Sequence, residues 1–272
     1  MEIRNIAVVL DIDAVDPDLV ALASDLARRH HATLVGMAAA EPPILLVGLD
    51  GGDAAGALYT EQRSQIEASL VAAGQSFGTL VPSGVKHRWV GTVQRPDIAA
   101  VSMARTVDLI IVGSPVKEAR SGQVIDIGAV LLGSGRPVLI AAAGQRKLKA
   151  NKIVIAWKDT KEARRAVGDG LPLLKAADDV SVVVVDEGNL ATERASMLDA
   201  VAWLQSHDVK AHGDVLPDSG GVAQTISQAA MTTGADLIVS GAYGHSRFRE
   251  WLLGGMTRDL LTTAGVSRLL SN

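Results

Sequence analysis

The chain has 272 residues, of which 48% are hydrophobic and only 3% aromatic, with a mean hydropathy of +0.24, a formal net charge of −4 and no cysteine. That length suits two domains of about 130 residues, and the aliphatic, alanine-rich composition suits α/β layers and excludes a disordered chain. The lack of cysteine excludes disulfides, thiolate catalysis and zinc–thiolate sites. Basic and acidic residues number 14 and 15 in residues 1–150, and 12 and 15 in residues 151–272; neither half has the basic bias that a nucleic-acid partner needs.

Along the chain, Ile6–Leu10 is the first apolar run, with Glu2 and Arg4 ahead of it and no signal-peptide pattern. Asp16 and Pro17 open a helix, as N-cap carboxylate and first-turn proline, and Leu19, Leu22 and Leu26 form its buried stripe. The run Ala32–Ala38 follows. Glu41–Tyr59 is Pro/Gly-framed with an apolar middle, a loop that packs on its own domain, forms a contact or covers a pocket. A helix is expected to open at Thr60-Glu61. His30 and His31 end the first helix, where positive charge suits the dipole. Val107–Val112 and Val138–Ala142 are further apolar runs; between them Gly128–Ser134 imitates a phosphate loop without its lysine, so helix packing is its expected role.

After the polar, basic linker Gly144–Ala150 the pattern repeats. Asn5–Asp11 recurs as Lys152–Lys158 at an offset of 147, the helix at Thr60 recurs at Thr192 at 132, and the strand at Asp108 recurs at Asp236 at 128. The falling offset places extra residues in the first copy. Thr160 caps a helix with Ala163, Val167, Leu171 and Leu174 on its apolar face, and the strands Val180–Val185 and Leu237–Ser240 follow. Continuous rather than alternating apolar runs indicate strands buried on both faces. The expectation is two α/β/α domains, 1–144 and 151–272, each a doubly wound, mainly parallel five-stranded sheet. The apolar runs are all far shorter than the roughly 20 residues that cross a bilayer, so a cytoplasmic protein without membrane contact is expected. The last run, Val266–Ser271, reads as a sheet edge through which a further homodimer would pair.

Ligands of doubly wound sheets bind beyond the carboxyl ends of the strands. In the second half that rim collects Trp157, Lys158, Asp159 and Thr160, then Val185 and Asp186, and then the loop Gly241–Gly255 with Gly244, His245, Ser246, Arg247, Arg249 and Gly254. Glycines let the backbone approach an anion, helix-terminal amides face phosphates, and the arginines add charge-assisted bonds. The competing reading is a plain turn with solvated arginines. Similar pairs of readings hold elsewhere: Trp157 is core or a base-stacking platform, His245 a phosphate contact or solvated. Asp11 and Asp13 bind Mg²⁺ or the next turn. Trp251 is read as packing.

The spacing Gly241-x2-Gly244-x9-Gly254 resembles the ATP-binding signature Gly-x2-Gly-x9-Gly-(Ser/Thr) of the universal stress protein family, with Asp236 opening the preceding strand, Ser246 after the second glycine and the helix Leu252–Leu261 following. The resemblance covers the whole chain as two fused copies. It implies the family's flavodoxin-like (HUP-type) fold, halves paired as single-domain members dimerise, and an ATP site in the second copy, from Trp157 to Thr160 and Val185 to the loop ending Gly254, Gly255 and Met256, with Mg²⁺ accompanying the nucleotide. Two positions depart from the pattern: Gly255 stands where the family has Ser/Thr, and Lys158 where it has an acidic residue. The first copy keeps Asp11, but Gly113, Ser114, Pro115 and Val116 lack the second glycine, which makes it a degenerate, structural or regulatory half. The expected function is a stress-response protein that binds ATP in its second half and acts through conformation or partners. The alternative is a nucleotide-free scaffold. No residue is positioned as a general base, which leaves slow ATP hydrolysis or self-modification without an assigned catalyst.

Overall fold

The computed structural model describes residues 2–43, 52–114, 125–186, 188, 190–242 and 265–272, with backbone alone for 52–55. The first half runs β1 (Asn5–Val9), α1 (Pro17–Arg29), β2 (Thr33–Ala40), α2 (Gly52–Leu80), β3 (His87–Val93), α3 (Pro96–Met103), β4 (Leu109–Gly113), α4 (Ile127–Ser134) and β5 (Val138–Ala141). The second runs β6 (Lys152–Ala156), α5 (Lys161–Leu174), β7 (Asp179–Asp186), α6 (Leu190–Gln205), β8 (Ala211–Pro217), α7 (Val222–Thr233), β9 (Leu237–Gly241) and β10 (Ser267–Ser271).

Local chemistry sets these elements as expected at several points. Asp16 Oδ1 accepts from the amides of Asp18 and Leu19 at 2.8 and 3.3 Å, and Thr160 Oγ1 accepts from Ala163 N at 3.2 Å, so α1 and α5 begin at their caps. Leu19, Leu22 and Leu26 are buried. Asp108 opens β4 by accepting from the amides of Arg4 and Asn5, both at 2.9 Å, which clips it to β1; Asp236 reaches Asn151 N at 3.3 Å in the same way. Gly128–Ser134 lies in and around α4, where a Cβ on Gly133 would stand 3.0 Å from Val101, so this stretch packs helix on helix.

Two boundaries differ from the sequence reading. α2 starts at Gly52 rather than Thr60, so the second part of the Glu41–Tyr59 insertion lengthens a 29-residue helix; residues 44–51 lie outside the described residues. α6 starts at Leu190, two residues before Thr192. At the end of α1, burial, and secondarily Arg29, lower the His30 pKa, which works against the positive charge that the helix dipole favours there.

The strands form one ten-stranded sheet in the order β3-β2-β1-β4-β5-β10-β9-β6-β7-β8. Each five-strand set is parallel, and the sets are joined by antiparallel pairing of Ile140, Leu139 and Val138 with Arg268, Leu269 and Leu270. β10 is therefore interior, which corrects the expectation of a free edge at the end of the chain. Among the described residues the edges are β3 and β8. An apolar strand pairs equally well on one side or two, so its own sequence does not distinguish the cases. α1, α2, α5 and α6 cover one sheet face over a core cluster that runs through both halves, while α3 and α4 cover the other face of the first half and α7 that of the second.

Side chains seal the junction. Ser267, 0% exposed, accepts from Ala142 N at 3.1 Å and donates to Gln145 Oε1. Arg165 Nη2 donates to Gly135 O at 2.7 Å, Arg29 Nη2 to Leu148 O at 2.6 Å, and Arg146 pairs with Asp18 at 3.0 Å. Burial lowers the Arg268 guanidinium to about 10, and its Nη2 donates to Ser227 Oγ at 3.3 Å.

Within each half the sheet order reverses once, between β1 and β4 and between β6 and β9. At the second reversal, Gly241 ends β9 directly against the first turn of α5: a Cβ there would lie 2.5 Å from Ala163 N and 2.6 Å from Glu162 C. At the matching Gly113 the nearest atom is Leu19 Cδ2 at 3.5 Å, an ordinary contact. Neither glycine has a positive φ.

Two stability predictions follow from these contacts. Ser267→Ala strands the buried Ala142 amide and should lower unfolding free energy by about 1–3 kcal/mol in urea titrations. Gly241→Ala should cost about 1–3 kcal/mol through overpacking against backbone, whereas Gly113→Ala should be neutral or stabilising by less than about 1 kcal/mol; equal midpoints for the two alanine variants would contradict the contact.

Candidate functional site

The crevice beyond β6 and β9 is where a doubly wound sheet offers a ligand the ends of two diverging connections. β6 leads into Trp157, Lys158, Asp159 and Thr160, and then into the N-terminus of α5. Lys158 and Asp159 are exposed, and Trp157 is half-buried against the core. The Trp157 amide still pairs with Val183 O of β7 at 2.9 Å, and its indole N–H donates to Ser196 Oγ of α6 at 3.3 Å. Ser196 in turn donates to Glu193 O at 3.0 Å. The indole thus ties the end of β6 to the first turns of α6, which supports core packing; its partial exposure leaves one side at the rim.

The other expected site residues divide clearly. Thr160 Oγ1 is occupied by its own helix cap, and Asp159 pairs with Arg164, both side chains being exposed. Val185 is buried beside Ile226 under α7 and contributes to the core cluster there. Asp186 accepts from Gly188 N at 2.8 Å, fixing the turn after β7. Gly241 is brought to the same rim, where the close approach of α5 requires the lack of a side chain. Gly244, His245, Ser246, Arg247, Arg249, Trp251, Gly254, Gly255 and Met256 lie outside the described residues, as do Pro115 and Val116 of the first half.

Three residues at this rim escaped the sequence reading. Glu162, 7% exposed, sits in the first turn of α5 beside Gly241, with Lys161 Nζ 3.7 Å from its carboxylate. Ser240 and Ser271, 2% and 1% exposed, flank Gly241 along β9 and across to β10, and neither hydroxyl has a hydrogen-bond partner among the described residues. The repeat holds the signal that exposes them. Ser240 stands where the first half has Val112, and Ser271 where it has Ala141, so buried positions that are apolar in one copy are polar in the other. A buried hydroxyl carries a desolvation penalty unless something satisfies it.

The first half presents a different rim. Asp11 Oδ1 accepts from Asp13 N at 2.9 Å, so this pair closes its own turn. Asp18, at the start of α1, is engaged by Arg146 of the linker. Among the described residues no group of three or more His, Asp or Glu side chains is placed to hold a metal ion, and no helix is long and apolar enough to cross a membrane.

Comparison with known proteins agrees with this geometry. Residues 149–270 match the universal stress protein family. A universal stress protein from Archaeoglobus fulgidus shares the fold at 16% identity and a TM-score of 0.67, over 98% of this chain and 96% of that one. A functionally unknown protein from Pseudomonas aeruginosa is similar at 16% identity and 0.59, over 99% and 92%. The cytoplasmic domain of a prokaryotic cation chloride cotransporter is similar at 12% identity and 0.53, over 99% and 95%, so the fold alone does not specify a function. No curated protein sequence matches the chain significantly. The universal stress protein match thus lies in residues 149–270, set in a tandem α/β fold that runs the length of the chain.

Proposed function

We propose that the second half binds an adenine nucleotide, ATP, at the rim where β6 and β9 end, and that the protein acts in a stress response through conformation or partners. The observation that carries this reading is the asymmetry of the two rims. In the half that matches the family, the sheet reversal meets exposed Lys158 and Asp159, a half-buried indole and buried hydroxyls on both sides of Gly241. In the first half the corresponding rim is closed on itself by Asp11–Asp13 and by Arg146.

These residues fit a nucleotide. Trp157 offers an aromatic surface, Lys158 a cation for a phosphate or ribose oxygen, and the first amides of α5 a positive helix end. By the sequence pattern, the triphosphate rests on amides of Gly241–Gly255 with Arg247, Arg249 and Ser246 in support. Mg²⁺ would enter with the phosphates, which supply its oxygen ligands. The joined halves act as an internal pseudo-dimer, so one chain carries one nucleotide and one silent partner. Lys158 and Gly255 favour the second reading, a nucleotide-free scaffold with the same fold.

Calorimetric titration with ATP and Mg²⁺ separates the two. Saturable heat at one site per chain is expected; no heat at millimolar nucleotide contradicts binding. Gly244→Val should abolish the heat while circular dichroism stays unchanged, and undiminished affinity in that variant would place the nucleotide elsewhere.

A further inference from the structure

The rim of the second half holds a carboxylate that its own surroundings do not satisfy. Glu193 lies in the first turn of α6; its side chain is half-buried, and its Oε2 is buried without a hydrogen-bond partner among the described residues. Two hydrogen bonds place this residue. The Trp157 indole N–H donates to Ser196 Oγ at 3.3 Å, and that hydroxyl donates to Glu193 O at 3.0 Å. Three residues before Ser196, Glu193 shares its helix face one turn nearer the start of α6. α6 follows the carboxyl end of β7, which lies beside that of β6, so this first turn stands at the rim next to the indole.

A carboxylate in the first turn suits the helix dipole, but a solvated one does so equally well. The dipole therefore gives no reason to bury the acceptor, and a buried carboxylate oxygen without a donor carries a desolvation penalty. The indole beside it belongs to this half alone: the counterpart of Trp157 in the first strand is Leu10, 6% exposed and part of the core.

We propose that Glu193 receives the ribose hydroxyls of the nucleotide, an assignment that rests on nucleotide binding in this half and fixes which end of the ligand lies here. An ionised carboxylate accepts hydrogen bonds and has none to give. It repels a phosphate, so the triphosphate lies away from it, toward the glycine loop. The adenine edge offers its amino group between the acceptors N1 and N7, which a carboxylate would meet lone pair against lone pair. A ribose presents two adjacent hydroxyls, both donors, and a carboxylate takes such a pair through charge-assisted hydrogen bonds. Ser196, bonded to the indole and to the backbone of Glu193, keeps the aromatic surface and the acceptor on one support.

Calorimetric titration of the intact protein with Mg²⁺ and ATP, 2′-deoxy-ATP or 3′-deoxy-ATP tests the assignment. In the unmodified chain at least one deoxy analogue should bind roughly tenfold more weakly than ATP, the loss of a hydrogen bond to a charged group. Glu193→Ala should weaken ATP and bring all three nucleotides to within about twofold of one another. Glu193→Gln, which keeps a neutral acceptor of nearly the same shape, should fall between, and it carries the same comparison if the alanine variant fails to fold. Equal affinities in the unmodified chain overturn the assignment while leaving nucleotide binding intact. So does a preference that survives the substitutions unchanged, because a carboxylate acting only on the helix weakens all three nucleotides alike. No heat with any of the three overturns the assignment together with the nucleotide site on which it rests.

Discussion

Three residue pairs, Ile140–Arg268, Leu139–Leu269 and Val138–Leu270, turn two five-stranded sheets into one. Everything else in the molecule is arranged around that antiparallel seam. It places β10 between β5 and β9, lets a single core cluster run under α1, α2, α5 and α6, and sends the two rims in opposite directions. It also explains why polar groups gather there. Where the halves meet, backbone groups beyond the ladder take side-chain partners: Ser267 accepts from Ala142 N and Arg165 donates to Gly135 O across the junction, Arg29 donates to Leu148 O of the linker, and Gln145 holds the Ser267 hydroxyl.

The seam gives the duplication a functional meaning. Both copies have the same strand order and the same aspartate clip at the start of the fourth strand, so the scaffold is retained twice. The rims have diverged. In the first half, Arg146 from the linker engages Asp18 at the start of α1, and in the second half the equivalent helix end meets Gly241 and the buried Glu162. The first copy serves as pairing partner in the seam and as platform for the long helix α2.

Much of this was legible in the sequence. Continuous apolar runs located the strands, and Asp16, Pro17 and Thr160 located two helix starts, because those signals act through local backbone groups. The start of α2 was not legible. Its glycines and the preceding prolines favour a loop locally, and its stripes are apolar on more than one side, so no single amphipathic face announced it. The interior place of β10 depends on a partner about 130 residues away, which no local pattern encodes. The glycine motif points to Gly241, which ends β9 at the rim. Its physical reason is the close approach of α5, and a glycine that admits a helix backbone looks the same in sequence as one that admits a phosphate. Glu162 is visible only through its burial, whereas Ser240 and Ser271 also stand out against Val112 and Ala141 at the matching positions of the first copy.

The account rests on a division of labour between two rims on one sheet, and amide hydrogen exchange with and without Mg²⁺–ATP measures both at once. The account predicts added protection in residues 156–163 and 237–242, where β6 passes into α5 and β9 ends, with residues 10–18 and 109–114 of the first half unchanged. Protection appearing at the first-half rim, or at neither, would contradict it.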